Sequence, residues 1–339
     1  MAMDKNYGIF GIAIQADEDT PASAPSVSFP ASAASAGIDS STSTEGIKLT
    51  IGGRDTTVGR YKSDVDSTAQ VTTLGFADLV AFLMYSALGD VETTGAEAPY
   101  THKIRMVDGV LPPVTFSEQV GSTSASVQQM EGCKLSSMSI NAEGIVPPSF
   151  EFNFSGTKVR WLESSTWSGP AFDAADGWFA SAGAEVLFSL TDGNPGEPDS
   201  SIVLQSLNVG IENNLEKQTR LGSVDPVKQK EGSTDVTCAL AGTTTDTTLY
   251  RQVMTGSENG TELAREIVTG SLQITFPHTK RDDLSLVIKI MSIPWAIEPM
   301  TVDPEGGEFE LSLSTEGALA VDGSSIEVIV KNDVAKIDL

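Results

Sequence analysis

The feature that most constrains this chain is an element that occurs twice. Ser67–Gly89, STAQVTTLGFADLVAFLMYSALG, opens as a polar strand over Ser67–Thr73 and runs into one amphipathic helix. Phe76, Leu79, Val80, Leu83 and Ala87 fall at i, i+3, i+4, i+7 and i+11, which places one apolar stripe against a sheet. Thr72 or Thr73 can cap the helix start, and Gly89 stands where a left-handed residue would end it. Asp235–Gly256, DVTCALAGTTTDTTLYRQVMTG, repeats the plan. Val236, Cys238 and Leu240 alternate as a strand, Thr244 or Thr245 can cap, Leu249 and Val253 are spaced by four, and Gly256 stops the helix. Nearly everything else has strand or turn character. The expected fold is therefore mainly β, with two tandem β-sandwich or barrel domains, each carrying one flanking α-helix.

Taken in order, Tyr7–Gln15 alternates as a short strand, and Ala16–Thr44 is a Pro/Ala/Ser-rich run that cannot bury enough surface to fold alone. It is expected to be a flexible tail or an arm ordered against a neighbouring subunit. Ile47–Ile51 is a strand, residues 52–55 a turn, and Val58–Asp66 a loop or hairpin. Asp90–Glu97 has the character of an acidic loop, followed by strands over Tyr100–Met106, Val114–Glu118, Val127–Met130 and Cys133–Ile140. A slip in alternation between Leu135 and Met138 marks a bulge. Phe150, Phe152 and Phe154 alternate without a break and face one core. These patterns divide the chain into an arm (1–46), a first domain (47–160), a linker (161–182) and a second domain (183–339). In the second domain Ile202–Ile211 is a strand, and Glu212–Glu231 is a long, charged, apolar-poor stretch of the kind that has a job. Phe309–Ser314 and Ile326–Lys331 are expected to pair with each other at the end.

Composition narrows the function. At 339 residues, 40% apolar and 20% charged, the chain is globular and long enough for two cores. A net charge of −25 argues against phosphate-backbone binding, which needs clustered Lys and Arg. The acidity suits solubility or a salty habitat, or a surface that must not stick to nucleic acid. Cys133 and Cys238 are the only cysteines, each in a strand pattern, so buried free thiols are expected. The N-terminus lacks a basic segment followed by an apolar core, so no signal peptide is expected and folding should take place in a cytoplasm. The longest apolar run, Phe76–Leu88, is too short to span a bilayer. His102 and His278 are the only histidines, no nucleotide-loop or nucleophile-elbow motif is present, and Asp64–Asp66 and Asp192–Asn194 are fragments of a calcium loop better read as turns. No enzyme, cofactor or metal is expected.

Several segments, in order, resemble the tail tube proteins of long-tailed bacteriophages, of the internally duplicated kind. They are YGIFGIAIQADEDTPASAP (Tyr7–Pro25), the Ser67–Gly89 element, MEGCKLSSMSINAEG (Met130–Gly144) leading to FEFNFSGT (Phe150–Thr157), Ser206–Thr237, and TTLYRQVMTG (Thr247–Gly256). The chain departs from that family in a longer Ala/Ser-rich N-terminal arm and few aromatic residues. The resemblance implies tail-tube-like sandwich domains that polymerise as stacked rings around a lumen through which DNA passes without specific binding. With six tube domains per ring, three chains would make a pseudo-hexamer. It also implies a place in the virion tail, assembly in the host cytoplasm, and tape measure, tail terminator and distal tail proteins as partners, with no membrane. Glu216, Lys217, Arg220, Asp225, Lys228 and Lys230 become inter-ring loop candidates, with Gly53–Asp66 as the shorter counterpart. Phe76, Leu79, Val80, Leu83, Leu249 and Val253 form the helix core faces. The competing readings are a secreted or surface adhesion or carbohydrate-binding β-sandwich, and a capsid-decorating or baseplate protein.

Overall fold

The computed structural model describes residues 8–30, 34–51, 54–106, 109–120, 127–162, 177–189, 202–244, 247–257, 259–298, 309–315, 317–321 and 323–337. Its first half comprises β1 (Gly8–Ile14), β2 (Val27–Pro30), β3 (Ala34–Ile51), β4 (Arg54–Leu74), α1 (Ala77–Leu88), β5 (Gly89–Thr94), β6 (Tyr100–Met106), β7 (Val114–Val120), β8 (Val127–Glu143), β9 (Ser149–Gly156) and β10 (Lys158–Leu162). The second half comprises β11 (Glu185–Ser189), β12 (Ile202–Glu212), β13 (Glu216–Gln218), β14 (Lys228–Lys230), β15 (Asp235–Thr244), α2 (Thr248–Thr255), β16 (Thr269–Pro277), β17 (Ser285–Pro294), β18 (Ala296–Ile297), β19 (Phe309–Thr315) and β20 (Ile326–Asn332). The fold is mainly β, as the residue patterns imply.

One long sheet runs β18-β19-β15-β12-β8-β9-β4-β3, all antiparallel. It crosses from one half to the other where β12 meets β8, Ser206–Glu212 against Glu143–Ser137. Two further layers cover its apolar face. One is β2-β1-β7-β8-β10, built on the N-terminal part of β8. The other is β11-β16-β17-β20-β6-β5, which also crosses the halves, at β20 and β6. β8 serves two layers because it bends at Gly132, whose φ of +57° favours glycine. A Cβ there would lie 2.6 Å from Thr157 Oγ1.

The connection pattern of the first half recurs in the second. β1·β7, β7·β8, β8·β10, β8·β9, β9·β4 and β4·β3 have counterparts in β11·β16, β16·β17, β17·β20, β18·β19, β19·β15 and β15·β12. α1 follows β4 as α2 follows β15. The β5–β6 hairpin has no strand counterpart among the described residues of the second half.

The core is one continuous cluster. Phe150, Phe152 and Phe154 are buried side by side, and the Phe116 ring of the covering layer lies 6.2 Å from that of Phe154. α1 packs against β2, β5, β6, β8 and β20. Phe76, Leu79, Val80 and Leu83 are buried, but so are Ala81, Phe82, Met84, Ser86 and Leu88. The single stripe read from spacing is thus only part of a helix buried at all positions but Asp78 and Tyr85. Neither threonine pair caps a helix. Phe76 and Thr247 occupy the N-cap positions without a side-chain bond, whereas Gly89 (φ 90°) and Gly256 (φ 78°) close the helices in the left-handed region.

Four sequence expectations change. Residues 27–30 and 34–44 are strands of this chain's own sheets, because β1 and β4 supply the backbone partners that the polar run lacks by itself. Residues 90–94 are strand β5 and not loop, whereas residues 58–66 lie in β4 of the β3–β4 hairpin, one of the two forms expected for them. The two strands expected at 127–140 are the single bent β8, with its irregularity between Leu135 and Ser137. β19 and β20 lie in different sheets and do not pair. Most of the expected linker, residues 163–176, and Asp192–Asn194 lie outside the described residues.

Candidate assembly surfaces

Strand alternation gives the long sheet one apolar face and one polar face. Each strand from β3 to β19 sets a carboxylate on the polar face: Asp39, Asp66, Glu151, Glu143, Glu212, Asp235 and Glu310. Between them stand Thr68, Gln70, Ser139, Asn141, Asn153, Asn208, Thr237 and Ser312. Where these strands lie side by side (34–41, 64–74, 134–143, 149–156, 202–212, 235–244 and 309–315), the one Lys or Arg in the sequence is the buried Lys134, paired with Ser155 at the end of β8 and β9. This face is a repulsive, non-adhesive wall toward any polyanion.

Two structures project from one end of that sheet. The larger is the distal β3–β4 hairpin, whose strands run on past Gly156, the last β9 residue paired with β4. Ile47, Val58 and Tyr61 are exposed on it, and Tyr61 donates to Glu45 Oε2 at 2.7 Å. Residues 45–62 carry Lys48, Arg54, Arg60 and Lys62 against Glu45 and Asp55, so 4 − 2 = +2 on a chain of −25. The opposite end of the sheet exposes Ile145, Val146 and Val203.

The smaller projection is residues 213–234, which contain the β13–β14 hairpin. Its root is fixed by buried polar groups. Asn213 Nδ2 donates to Ala87 O at 3.2 Å and Leu135 O at 3.0 Å, joining the loop to the end of α1 and to β8. Lys134, 1% exposed, holds Glu18 at 2.5 Å, Glu231 at 2.6 Å and the Gln229 carbonyl at 2.9 Å. Gln229 Nε2 donates to Gly156 O at 3.0 Å. A buried ammonium needs such partners, and removing one would strand a charge.

The sequence candidates divide between root and tip. Lys217 reaches Asp66 at 2.7 Å and Asp64 at 3.4 Å on β4. Burial works against its ammonium, but those carboxylates outweigh it and hold the pKa above the ordinary lysine value. Glu216, Arg220, Lys228 and Lys230 are exposed, and Asp225 is half-buried in a turn where its N–H donates to Ser223 Oγ. The β3–β4 hairpin is longer than this loop, the reverse of the expectation that residues 53–66 form the shorter counterpart. Leu249 and Val253 are buried under α2. Sequence reading counted Glu231 among the charges of the loop but singled out none of Asn213, Gln229 and Lys134. The one visible signal was a lysine among the small and apolar residues of CKLSS.

Three of the strands paired on one side only stand where the two halves would meet another copy. Among the described pairings, β3 pairs with β4 alone, β18 with β19 alone, and β10 with β8 alone. Glu118 Oε2 accepts from Ile38 N at 3.0 Å, guarding the start of the β3 edge with a charge.

The chemistry expected to be absent has structural explanations where groups are present. His102 is fully buried, contacting Thr93 Oγ1, Asn332 Oδ1 and Val334 O, and so pins β5, β6 and β20 together. Cys133 and Cys238 are buried thiols whose pKa values desolvation pushes up, that of Cys238 to about 12. Among the described residues no group of His, Cys, Asp or Glu could hold a metal, and no helix is long and apolar enough to cross a membrane.

Open sheet edges, projecting arms and a uniformly acidic face define a protein built to join others of its kind. A family model described as phage tail tube protein matches residues 10–317. The chain belongs to that family, whose members are structural components of the virion tail that self-assemble into a tube. No curated protein matches the chain.

Proposed function

We propose that the chain is two tandem tube modules, the expected 47–160 extended to β1 through β10 and 183–339 following the linker, and that three chains close head to tail into one pseudo-sixfold ring of the tail tube. The observation that carries this reading is the seam between β12 and β8. Within the chain it joins the last strand of one four-stranded unit, β18-β19-β15-β12, to the first strand of the next, β8-β9-β4-β3. The same step taken between chains joins the free β3 edge of one copy to the β18–β19 edge of another. Such a heterologous contact generates a closed ring when its rotation divides the circle.

The polar face of the long sheet then lines the bore. A ring of three chains carries 3 × −25 = −75, and the wall strands contribute carboxylates, of which Asp66 is paired with Lys217 at the loop end. At physiological salt the Debye length is about 8 Å, so wall and phosphates repel only when DNA drifts close. The duplex stays centred and unbound as the genome is delivered to the host. Rings stack through the β3–β4 hairpin and residues 213–234, with Glu216, Lys217, Arg220, Asp225, Lys228 and Lys230 on the second. The positive hairpin with exposed Ile47, Val58 and Tyr61 meets the far end of the next ring, where Ile145, Val146 and Val203 are exposed. Tape measure, terminator and distal tail proteins would meet the ends of such a tube.

Averaged end-on images of tubes grown from purified chain test the reading. Three chains per ring with six density lobes are expected. A ring of six 339-residue chains, or a chain that forms no tubes, would overturn it.

A further inference from the structure

Within the chain, the β5–β6 hairpin closes an edge that would otherwise be open: β6 lies along β20, Tyr100–Arg105 against Asn332–Glu327. Glu327 clasps it, 3.0 Å from Lys103 Nζ and 2.8 Å from Arg105 Nε. The counterpart of β20 in the first half is β10, which among the described residues pairs with β8 alone and has its other edge open. Trp161 on that strand is 63% exposed. The counterpart of β5–β6, by its place after the helix, is the segment that follows α2. Among its described residues, 259–268, Leu263 and Ile267 are 69% and 73% exposed. The segment is nonetheless anchored at both ends, by Ala264 N to Met254 O at 2.9 Å and Trp295 N to Val268 O at 3.2 Å.

We propose that residues 259–268 of one copy dock on the open β10 edge of a second copy, as β6 docks on β20 within the chain. This rests on the ring reading above and names the contact that seals the outer layer of the ring. Direction is consistent. The first half's hairpin reaches back over the second half, so the second half's segment reaches back over the first half of the preceding copy, the one whose β3 edge meets β18 and β19. Charge is complementary as well. β10 carries Lys158 and Arg160, the latter held by Gln129 and Glu131, while the segment carries Glu262 and Glu266 around Arg265. Leu263 and Ile267, four apart, offer the apolar contact that Trp161 lacks in the isolated chain.

Cysteines at Trp161→Cys and Leu263→Cys, treated in assembled tubes with a short bismaleimide, test this. The native thiols are buried with raised pKa values and leave the reaction clean. The expected product is a ladder of cross-linked dimer and trimer on a denaturing gel that stops at three chains, with none from either single variant. The pair Lys158→Cys and Glu266→Cys stands in if the first assembles poorly. Tubes in which neither pair cross-links would overturn the docking and leave the tube reading intact. A ladder continuing past three chains would place the contact between rings and equally overturn it. An unmodified chain that forms no tubes would overturn the ring reading and this inference with it.

Discussion

α1 and α2 follow corresponding strands, end on corresponding left-handed glycines, and finish in different surroundings. α1 is buried except along the narrow face of Asp78 and Tyr85, while α2 buries only Leu249 and Val253. Their own sequences anticipate the difference: ADLVAFLMYSAL is apolar almost all round, whereas TLYRQVMT keeps Thr248, Arg251 and Thr255 on an exposed face. What covers α1 is β20, contributed by the other half of the chain, together with β5 and β6. Nothing described in the chain plays that part for α2. A seam formed once, during folding, can be dry and apolar. A seam that must wait for a second copy has to leave a soluble surface meanwhile, and polar groups supply it.

The largest expected effect tests the covered helix. Leu83 is 0% exposed, so Leu83→Asp would bury a carboxylate with no partner of opposite charge and should cost several kcal/mol, or prevent soluble expression. Leu249→Ala beneath α2 removes a side chain packed from one side and should cost about 2 kcal/mol, the low end for such truncations. Urea unfolding of both variants gives the ratio. Equal losses would mean that the two helices are equally supported and would erase the contrast.

How much of this contrast the sequence announces depends on the distance between partners. The strand-helix-glycine elements, Phe150, Phe152 and Phe154, and the Leu135–Met138 irregularity are local and legible. β3 is not, because Ala36, Ile38 and Ser40 make too weak an apolar row, and its strand exists by pairing with β4. The near-complete burial of α1 depends on β20, more than two hundred residues later. The loop root escaped notice for the same reason. Lys134, Glu18 and Glu231 come from three distant segments, and no spacing links them. The acidic face could be expected as a composition, but only the pairing register says which carboxylates share it.

A second, smaller effect concerns the clasp of the internal seam. Burial raises the Glu327 pKa, but hydrogen bonds and charge from Lys103 and Arg105 outweigh it and leave it below the ordinary value. A carboxylate with a depressed folded-state pKa contributes stability that is full above its unfolded pKa, about 4.3, and lost as pH falls below that through the folded value. Glu327→Gln should therefore cost about 1–3 kcal/mol at pH 7 and converge with the parent chain near pH 3. Denaturant midpoints at the two pH values check the sign. A difference that grows toward acid would show that the clasp is not what holds β6 to β20.

The smallest effect on the isolated chain should come from the exposed face of α2, and it isolates what that face is for. Arg251 is exposed on the face opposite Leu249 and Val253, so Arg251→Glu should leave monomer stability within about 0.5 kcal/mol. On the proposed ring, however, this face lies at the seam beside β10 of the preceding copy. Beside Lys158 and Arg160 of β10 that reversal replaces a like charge by an opposite one, so tube growth should quicken, and more so at low salt, because surface charge pairs are screened within a Debye length of about 8 Å at physiological ionic strength. Light scattering during assembly at two salt concentrations, with the monomer melt as control, separates the effects. Unchanged growth at both salts would mean that α2 stays exposed in the tube. The difference between the helices would then reflect two unlike surfaces of a tube and not one seam filled within the chain and one left for the preceding copy.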